Sequence, residues 1–357
     1  MRDRMAAGAA LAGLLAGLLL AAVWRPPHAQ AAACRHVHGP FHMHGSVITG
    51  AGGVRYVPYG INATGLSSMP QAGADQAVIN AAAQFWCANT VRLQVSQDAL
   101  VSAAGHVDQA FLGRVETQVA QIESLGMVAV INLQTQTDPS PDFMPTAQAK
   151  AFWSSMTAHF GDHPDVVFDL FNEPRNVGTW GFWHSGGWRG GVRYLGMQQL
   201  ADFARARGAR NLLWIQGPHT GGSLAQVRSH QVRGNGPIEY AEHRPDGPHT
   251  TGRWDRVFGY LAVRNVAPVV EGEFANYARA GAPWACWDDA PTAIPRWLCY
   301  LGSRHIGMIV TRMTKGQLIR SDAMDDPTRL PANFRCVDGG NTGAGHQFMS
   351  WFARQNS

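Results

Sequence analysis

Eight short apolar segments recur along the chain, at residues 54–62, 90–95, 127–134, 166–173, 211–217, 237–243, 268–274 and 307–313. Between them the hydrophobic period changes, most clearly at 108–125, 146–160, 191–207 and 254–264. Within 108–125, Phe111, Leu112, Val115, Val119, Ile122 and Leu125 return at steps of three and four, one face of a helix. Strands alternating with helices build a parallel sheet, and eight such units predict an α/β fold, a closed (β/α)8 TIM barrel. A hairpin-like lead-in at 41–53, FHMHGSVITGAGG, is expected at the closed amino-terminal end. The 357 residues suffice for one such domain. With no linker, repeat or appended module visible, residues 34–357 are expected to form that single domain.

The fourth segment, 166–175, reads VVFDLFNEPR. An apolar strand interrupted by Asp169 ends in Asn172, Glu173 and Pro174, which places a carboxamide and a carboxylate at the carboxyl tip, where barrels keep their chemistry. A second carboxylate ends the seventh segment, where 267–276 reads APVVEGEFAN and offers Glu273. Two glutamates at two parallel strand tips suit cleavage of a glycosidic bond. One protonates the leaving oxygen and then activates water, while the other attacks the anomeric carbon. Arg92 ends the second strand among apolar residues, where it serves either a structural ion pair or the nucleophile.

Asn172-Glu173-Pro174 behind one apolar strand, and Gly272-Glu273-Phe274 behind another, resemble the acid/base and nucleophile strands of the family 5 glycoside hydrolases, the cellulase family of clan A. The resemblance implies that Glu173 is the acid/base and Glu273 the nucleophile. It also implies that Arg92 supports the nucleophile, Asn172 binds the sugar hydroxyl beside the anomeric carbon, and His243 lies near the acid/base. Three positions depart from that pattern and mark a divergent member. Gln134 stands for a histidine, Pro245 for the tyrosine that bonds the nucleophile, and Thr311 for the tryptophan that floors the sugar subsite. Tyr240, Tyr277 or Tyr59 are candidates for the missing donor. Trp180, Trp183 and Trp284, with Phe182, Trp188, Tyr277 and Trp287, follow the two catalytic strands and are candidate sugar platforms.

The implied activity is retaining hydrolysis of a β-linked oligo- or polysaccharide, β-1,4-glucan first and β-mannan second, with no cofactor or metal. A transglycosidase using the same residues, and a glycan-binding protein with impaired catalysis, remain as alternatives. Glu271, two residues before Glu273, is expected on the same face one layer deeper, with Arg92, Gln94 or Gln134 as partner. His36, His38, His42 and His44 are expected to be solvated or packing residues of the lead-in, not metal ligands.

The net charge of +4 comes from scattered arginines, with only two lysines, and gives no nucleic-acid footprint. Arg2 and Arg4, an apolar stretch at 6–23 and small residues at 29–33 read as a signal peptide cleaved near 30–33. An exported monomer, free of the membrane after cleavage, is expected; an uncleaved anchor and lipid attachment at Cys34 are the alternatives. All five cysteines follow that stretch. Cys286 and Cys299 flank 12 residues and are the favoured disulfide, with Cys34, Cys87 and Cys336 allowing one further pair, Cys34 with Cys87.

Overall fold

The computed structural model describes residues 34–67, 74–136, 143–175, 177–243, 249–276, 287, 290–313, 317–319 and 345–357. Those of Cys34–Ser357 belong to one compact unit. The signal-peptide reading, Trp284, Cys286, Pro245, Tyr277 and Cys336 fall outside the described residues.

The chain enters through a three-stranded antiparallel sheet of β1 (His42–His44), β2 (Val47–Thr49) and β3 (Arg55–Tyr56). The barrel follows as β4 (Tyr59–Ala63), β5 (Thr90–Ser96), β6 (Val128–Thr135) and β7 (Val166–Asp169). A hairpin of β8 (Gly186–Arg189) and β9 (Val192–Leu195) stands outside it, and β10 (Leu212–Gln216), β11 (Ile238–Glu242), β12 (Val269–Phe274) and β13 (Gly307–Val310) close the ring. All barrel neighbours are parallel, and β13 returns to β4. The main helices span Ala74–Gln84, Gln109–Ser124, Ala147–Phe160, Met197–Ala206, Ala290–Ser303 and Gly345–Gln355.

Two boundaries differ from the sequence expectation. The first strand divides at Val57-Pro58, because a proline has no N–H for a ladder. The helix expected over 191–207 starts only at Met197, because residues 192–195 pair with 186–189 as a hairpin. Gly190 and Gly191 turn that hairpin with φ of 54° and 78°, a left-handed pair that glycine adopts freely.

Strand alternation sorts the core into two layers. Outward residues such as Ile61, Leu93, Ile131, Phe168, Ile215 and Met308 pack against the helices. Inward residues Val128, Val130, Val167, Leu212, Trp214, Ala241, Val270 and Ile309 fill the barrel and meet Val37, Phe41, Ile48 and Tyr56 of the entry segment. The lead-in therefore plugs the amino-terminal end, as its position in the sequence suggested. His36 bonds the Gly126 carbonyl and His38 bonds Asp165, while His42 and His44 are exposed.

Cys34 and Cys87 form a disulfide across 53 residues, worth about 4 kcal/mol on a loop-entropy estimate. Cys299 is a free, exposed thiol, so the favoured Cys286–Cys299 bridge is not formed. Sequence spacing measures loop length, but only the fold sets the distance between two cysteines.

One inward carboxylate stands low in the barrel. Glu239 on β11 is level with Trp214 on β10 and accepts its indole N–H at 2.8 Å. Burial, opposed by that indole hydrogen bond, pushes its carboxyl from 4.5 up to about 8. The folded chain thus holds a proton that the unfolded chain releases, so stability falls as pH rises from about 4.5 to about 8. Thermal melts across that window are expected to lose less stability in Glu239→Gln than in the parent; equal slopes would refute the assignment.

Candidate active site

Inward positions at the carboxyl ends of five barrel strands are polar instead of apolar. Asn62 of β4, Arg92 and Gln94 of β5, Asn132 and Gln134 of β6, Asp169 of β7 and Gln216 of β10 all follow the inward parity of their strands. Arg92 lies at their centre with no exposed surface. Its Nε donates to Asp169 Oδ2 at 2.8 Å, Nη1 to Asn62 Oδ1 and Glu273 Oε2 at 3.0 Å each, and Nη2 to Asn172 Oδ1 at 2.8 Å. One planar fork therefore orders four side chains from three other strands and a strand end.

Glu273 reaches this fork through a break in strand parity. Glu271 pairs with Met308 and Phe274 with Val310, so Gly272 and Glu273 together oppose the single residue Ile309. This β-bulge turns both inward. Phe274, facing out, packs on Trp287 and Trp297 in a cluster with Trp254 and Tyr300. Gly272 is required here, since a Cβ would lie 2.9 Å from His243 Nε2 and 3.0 Å from Ala241 Cβ. The expectation that Glu271 lies beneath Glu273 is corrected: Glu271 faces outward, in register with Glu242, and neither is exposed. Strict alternation failed because the bulge adds a residue.

Gln94, two residues beyond Arg92 on the same face, donates its amide to Glu273 Oε2 at 2.9 Å. The sequence offers it as a partner for Glu271; in the structure it gives Glu273 a second donor. Of the tyrosine candidates, Tyr240 faces outward and bonds the Val232 main chain, and Tyr59 packs against Trp351.

Glu173 follows β7 in a left-handed conformation, φ 48°, which costs a non-glycine residue about 1–3 kcal/mol. Its N–H donates to Gln216 Oε1 at 2.7 Å, and the Pro174 carbonyl accepts from Thr220 at 3.0 Å. A third of its side chain meets solvent, yet burial raises the carboxyl above its usual range, opposed by Arg92 and then Arg175. His243 Nδ1 lies 3.2 Å from Glu173 Oε1. Burial, reinforced by Arg92 and opposed by Glu273 and Asp169, holds that imidazole down at about 4. His243 is therefore neutral near pH 7.

The remaining predicted residues divide. Gln134 is half-buried at the tip of β6, and Thr311 is buried just beyond β13. Trp180 is half-buried, edge-on to Trp183. Trp183 is fully buried and donates its indole N–H to the Gln216 carbonyl, so it braces the site from behind and offers no face to a sugar. Trp287 is likewise buried in the aromatic cluster, whereas Trp188 on β8 is 70% exposed. Sequence reasoning missed Gln216; a polar residue ending an apolar strand, LLWIQ, was the signal available. Among the described residues no cluster of three or more His, Cys, Asp or Glu side chains is disposed to hold a metal ion.

The family model Cellulase (glycosyl hydrolase family 5) matches residues 56–315. The chain belongs to glycoside hydrolase family 5. Among curated relatives, this family 5 chain is 24% identical to Endoglucanase N of Pectobacterium atrosepticum over 238 residues, which are 66% of this chain and 50% of that protein. It is 32% identical to Cellulase/esterase CelE of Acetivibrio thermocellus over 106 residues, 28% of this chain and 13% of that one. The chain thus spans half or less of these relatives. The β-glucanase SdGluc5_26A of Saccharophagus degradans superposes with a TM-score of 0.67 at 17% identity, over 91% of this chain and 96% of that one. The catalytic domain of Thermobifida fusca endoglucanase Cel5A gives 0.64 at 15%, over 88% and 97%. These likenesses establish the shared barrel.

Histidine-resolved NMR over about pH 3 to 8 is expected to find His243 titrating at about 4 and silent from about 5 upward. A His243 titration near its ordinary value would contradict the described site.

Proposed function

We propose that this family 5 glycoside hydrolase cleaves a β-linked glucan by double displacement, with Glu173 as acid/base and Glu273 as nucleophile. The observation that carries the reading is the unequal treatment of the two carboxyls. Glu273 Oε2 receives donors from Arg92 and Gln94, whereas Glu173 faces neutral His243 and has its carboxyl raised by burial. The donors on Glu273 fix its attack direction and stabilise the negative charge returned to it when the glycosyl-enzyme breaks down. The raised carboxyl of Glu173 keeps a proton for the leaving oxygen, and the resulting carboxylate then takes one from water. Asn172, turned by Arg92 Nη2, presents its amide to the neighbouring sugar hydroxyl.

The substrate is a β-1,4-glucan, with β-mannan second. This is supported by the endoglucanase names of the curated relatives and by the structural neighbour solved with cellotetraose. Residues 34–357 are the catalytic domain, and the segment before Cys34 is a signal peptide that exports it. The Cys34–Cys87 disulfide supports an oxidising destination, and no helix among the described residues is long and apolar enough to cross a membrane.

The decisive experiment incubates the protein with a 2-deoxy-2-fluoro cellobioside bearing an activated leaving group and locates the adduct by peptide mass spectrometry. Label on Glu273, absent from Glu273→Gln, is expected; label elsewhere, or inversion at the anomeric carbon with a natural glucan, would overturn the assignment. Gln94→Leu is expected to lower kcat about 10- to 100-fold with the fold retained, through loss of a preorganised donor. Because burial raises the Glu173 carboxyl, activity is expected to fall on the alkaline side as that proton is lost, and Glu173→Gln to abolish that limb.

A further inference from the structure

Strand β7 ends on a third carboxylate, Asp169, which has no exposed surface. Its Oδ2 accepts from Arg92 Nε and from Gln216 Nε2, both at 2.8 Å, and its Oδ1 accepts from Gln216 Nε2 at 2.9 Å. Each second partner then reaches a different glutamate. Arg92 Nη1 lies 3.0 Å from Glu273 Oε2, and Gln216 Oε1 accepts the Glu173 main-chain N–H at 2.7 Å.

We propose that Asp169 is the positioning residue of this site, one buried carboxylate that sets the guanidinium beside Glu273 and the amide beneath Glu173, so that both glutamates share a single anchor. The inference rests on the glycosidase reading above. An ionised carboxylate only accepts, so the NH2 end of Gln216 turns to Asp169 and its oxygen turns to Glu173. That acceptor holds the Glu173 peptide in its left-handed conformation. Replace the carboxylate by an amide, and Gln216 gains an alternative orientation that presents NH2 to an N–H and loses the bond.

Charge gives a second consequence. The charged and titratable groups around Glu173 are Arg92 from β5, Arg175 on its own segment, His243 after β11, Glu273 from β12 and Asp169 from β7. His243 is neutral at working pH, and Asp169 opposes the Arg92 charge at 2.8 Å. Without Asp169 the cation is less compensated, and Glu173 releases its proton at lower pH.

The test compares Asp169→Asn, Gln216→Leu and parent protein on cellobiosides with a phenyl and a dinitrophenyl leaving group. Asp169→Asn is expected to lose about 100-fold in kcat on the phenyl substrate, and its alkaline limb to move to lower pH. Gln216→Leu leaves every charge in place, so its kcat falls while its limb stays. Both lose less on the dinitrophenyl substrate, which needs little protonation. Folded variants within about twofold of the parent on both substrates, or an unmoved limb in Asp169→Asn, would overturn the anchor. If the parent protein cleaves no β-glycoside, the glycosidase reading falls, and a crystal structure of Gln216→Leu still decides the anchor. Glu173 outside the left-handed region supports it, and an unchanged Glu173 overturns it.

Discussion

A guanidinium with no exposed surface has to find its charge and its hydrogen bonds inside the protein. Arg92 finds four acceptors, on Asp169, Asn62, Glu273 and Asn172, contributed by three other strands and the end of one of them. Removing one partner from such a pair costs about 3–5 kcal/mol, because the other is left as an uncompensated buried charge. The mouth of the barrel is therefore a mutual arrangement in which no member moves without exposing another. Below it the filling is mostly apolar, from Val128, Val167, Leu212 and Val270 to the plugging side chains of the entry sheet, with Glu239 held by the Trp214 indole. The buried lower layer lowers the dielectric beneath Arg92 and strengthens its hydrogen bonds.

The bulge in β12 makes that arrangement reachable. A strand with unbroken alternation would place Glu271 and Glu273 on one face and Gly272 on the other. Here Phe274 is committed outward by its contacts with Trp287 and Trp297, and Val270 inward by the barrel filling. Three residues lie between these commitments, whereas alternation from inward 270 puts 274 inward again. The extra residue resolves the mismatch, and it does so at Gly272, where nothing larger fits beneath His243. The outward aromatic cluster and the inward nucleophile are thus two consequences of one local insertion.

This also marks the boundary of what the sequence disclosed. The eight strands and the plug were legible because hydrophobic period is a local property, and the convergence of Arg92, Asn172, Glu173, His243 and Glu273 because strand-end position was joined to the family resemblance. The face occupied by Glu271 was not, since parity counting assumes no bulge and Gly272 was the sole hint. Gln94 was legible as an unusual inward amide but not as a donor to Glu273, because its reach depends on where β12 lies across the ring. The place of Trp183 after a catalytic strand suggests a sugar platform, yet it is fully buried against Trp180 and the Gln216 carbonyl, contacts that no period reveals. Cys299 failed for a related reason, as loop length says nothing of direction.

Three of the inward carboxyls, Glu239, Asp169 and Glu173, show how partners, and not burial alone, assign chemical roles. Among the described residues Glu239 takes an indole hydrogen bond and no cation, so burial dominates and its carboxyl rises to about 8. Asp169 is equally buried and also pushed upward, but a guanidinium and an amide pull it back, and every group at its oxygens is a donor, as a carboxylate anion requires. Glu173 is raised by burial as well, and it keeps solvent contact on a third of its side chain. Its oxygen faces a neutral histidine, while Arg92, which would otherwise draw the proton off, is turned toward Asp169 and Glu273. Directing the cation's hydrogen bonds to two carboxylates leaves the third able to carry a proton, which is the asymmetry that acid-base chemistry needs from groups of the same kind.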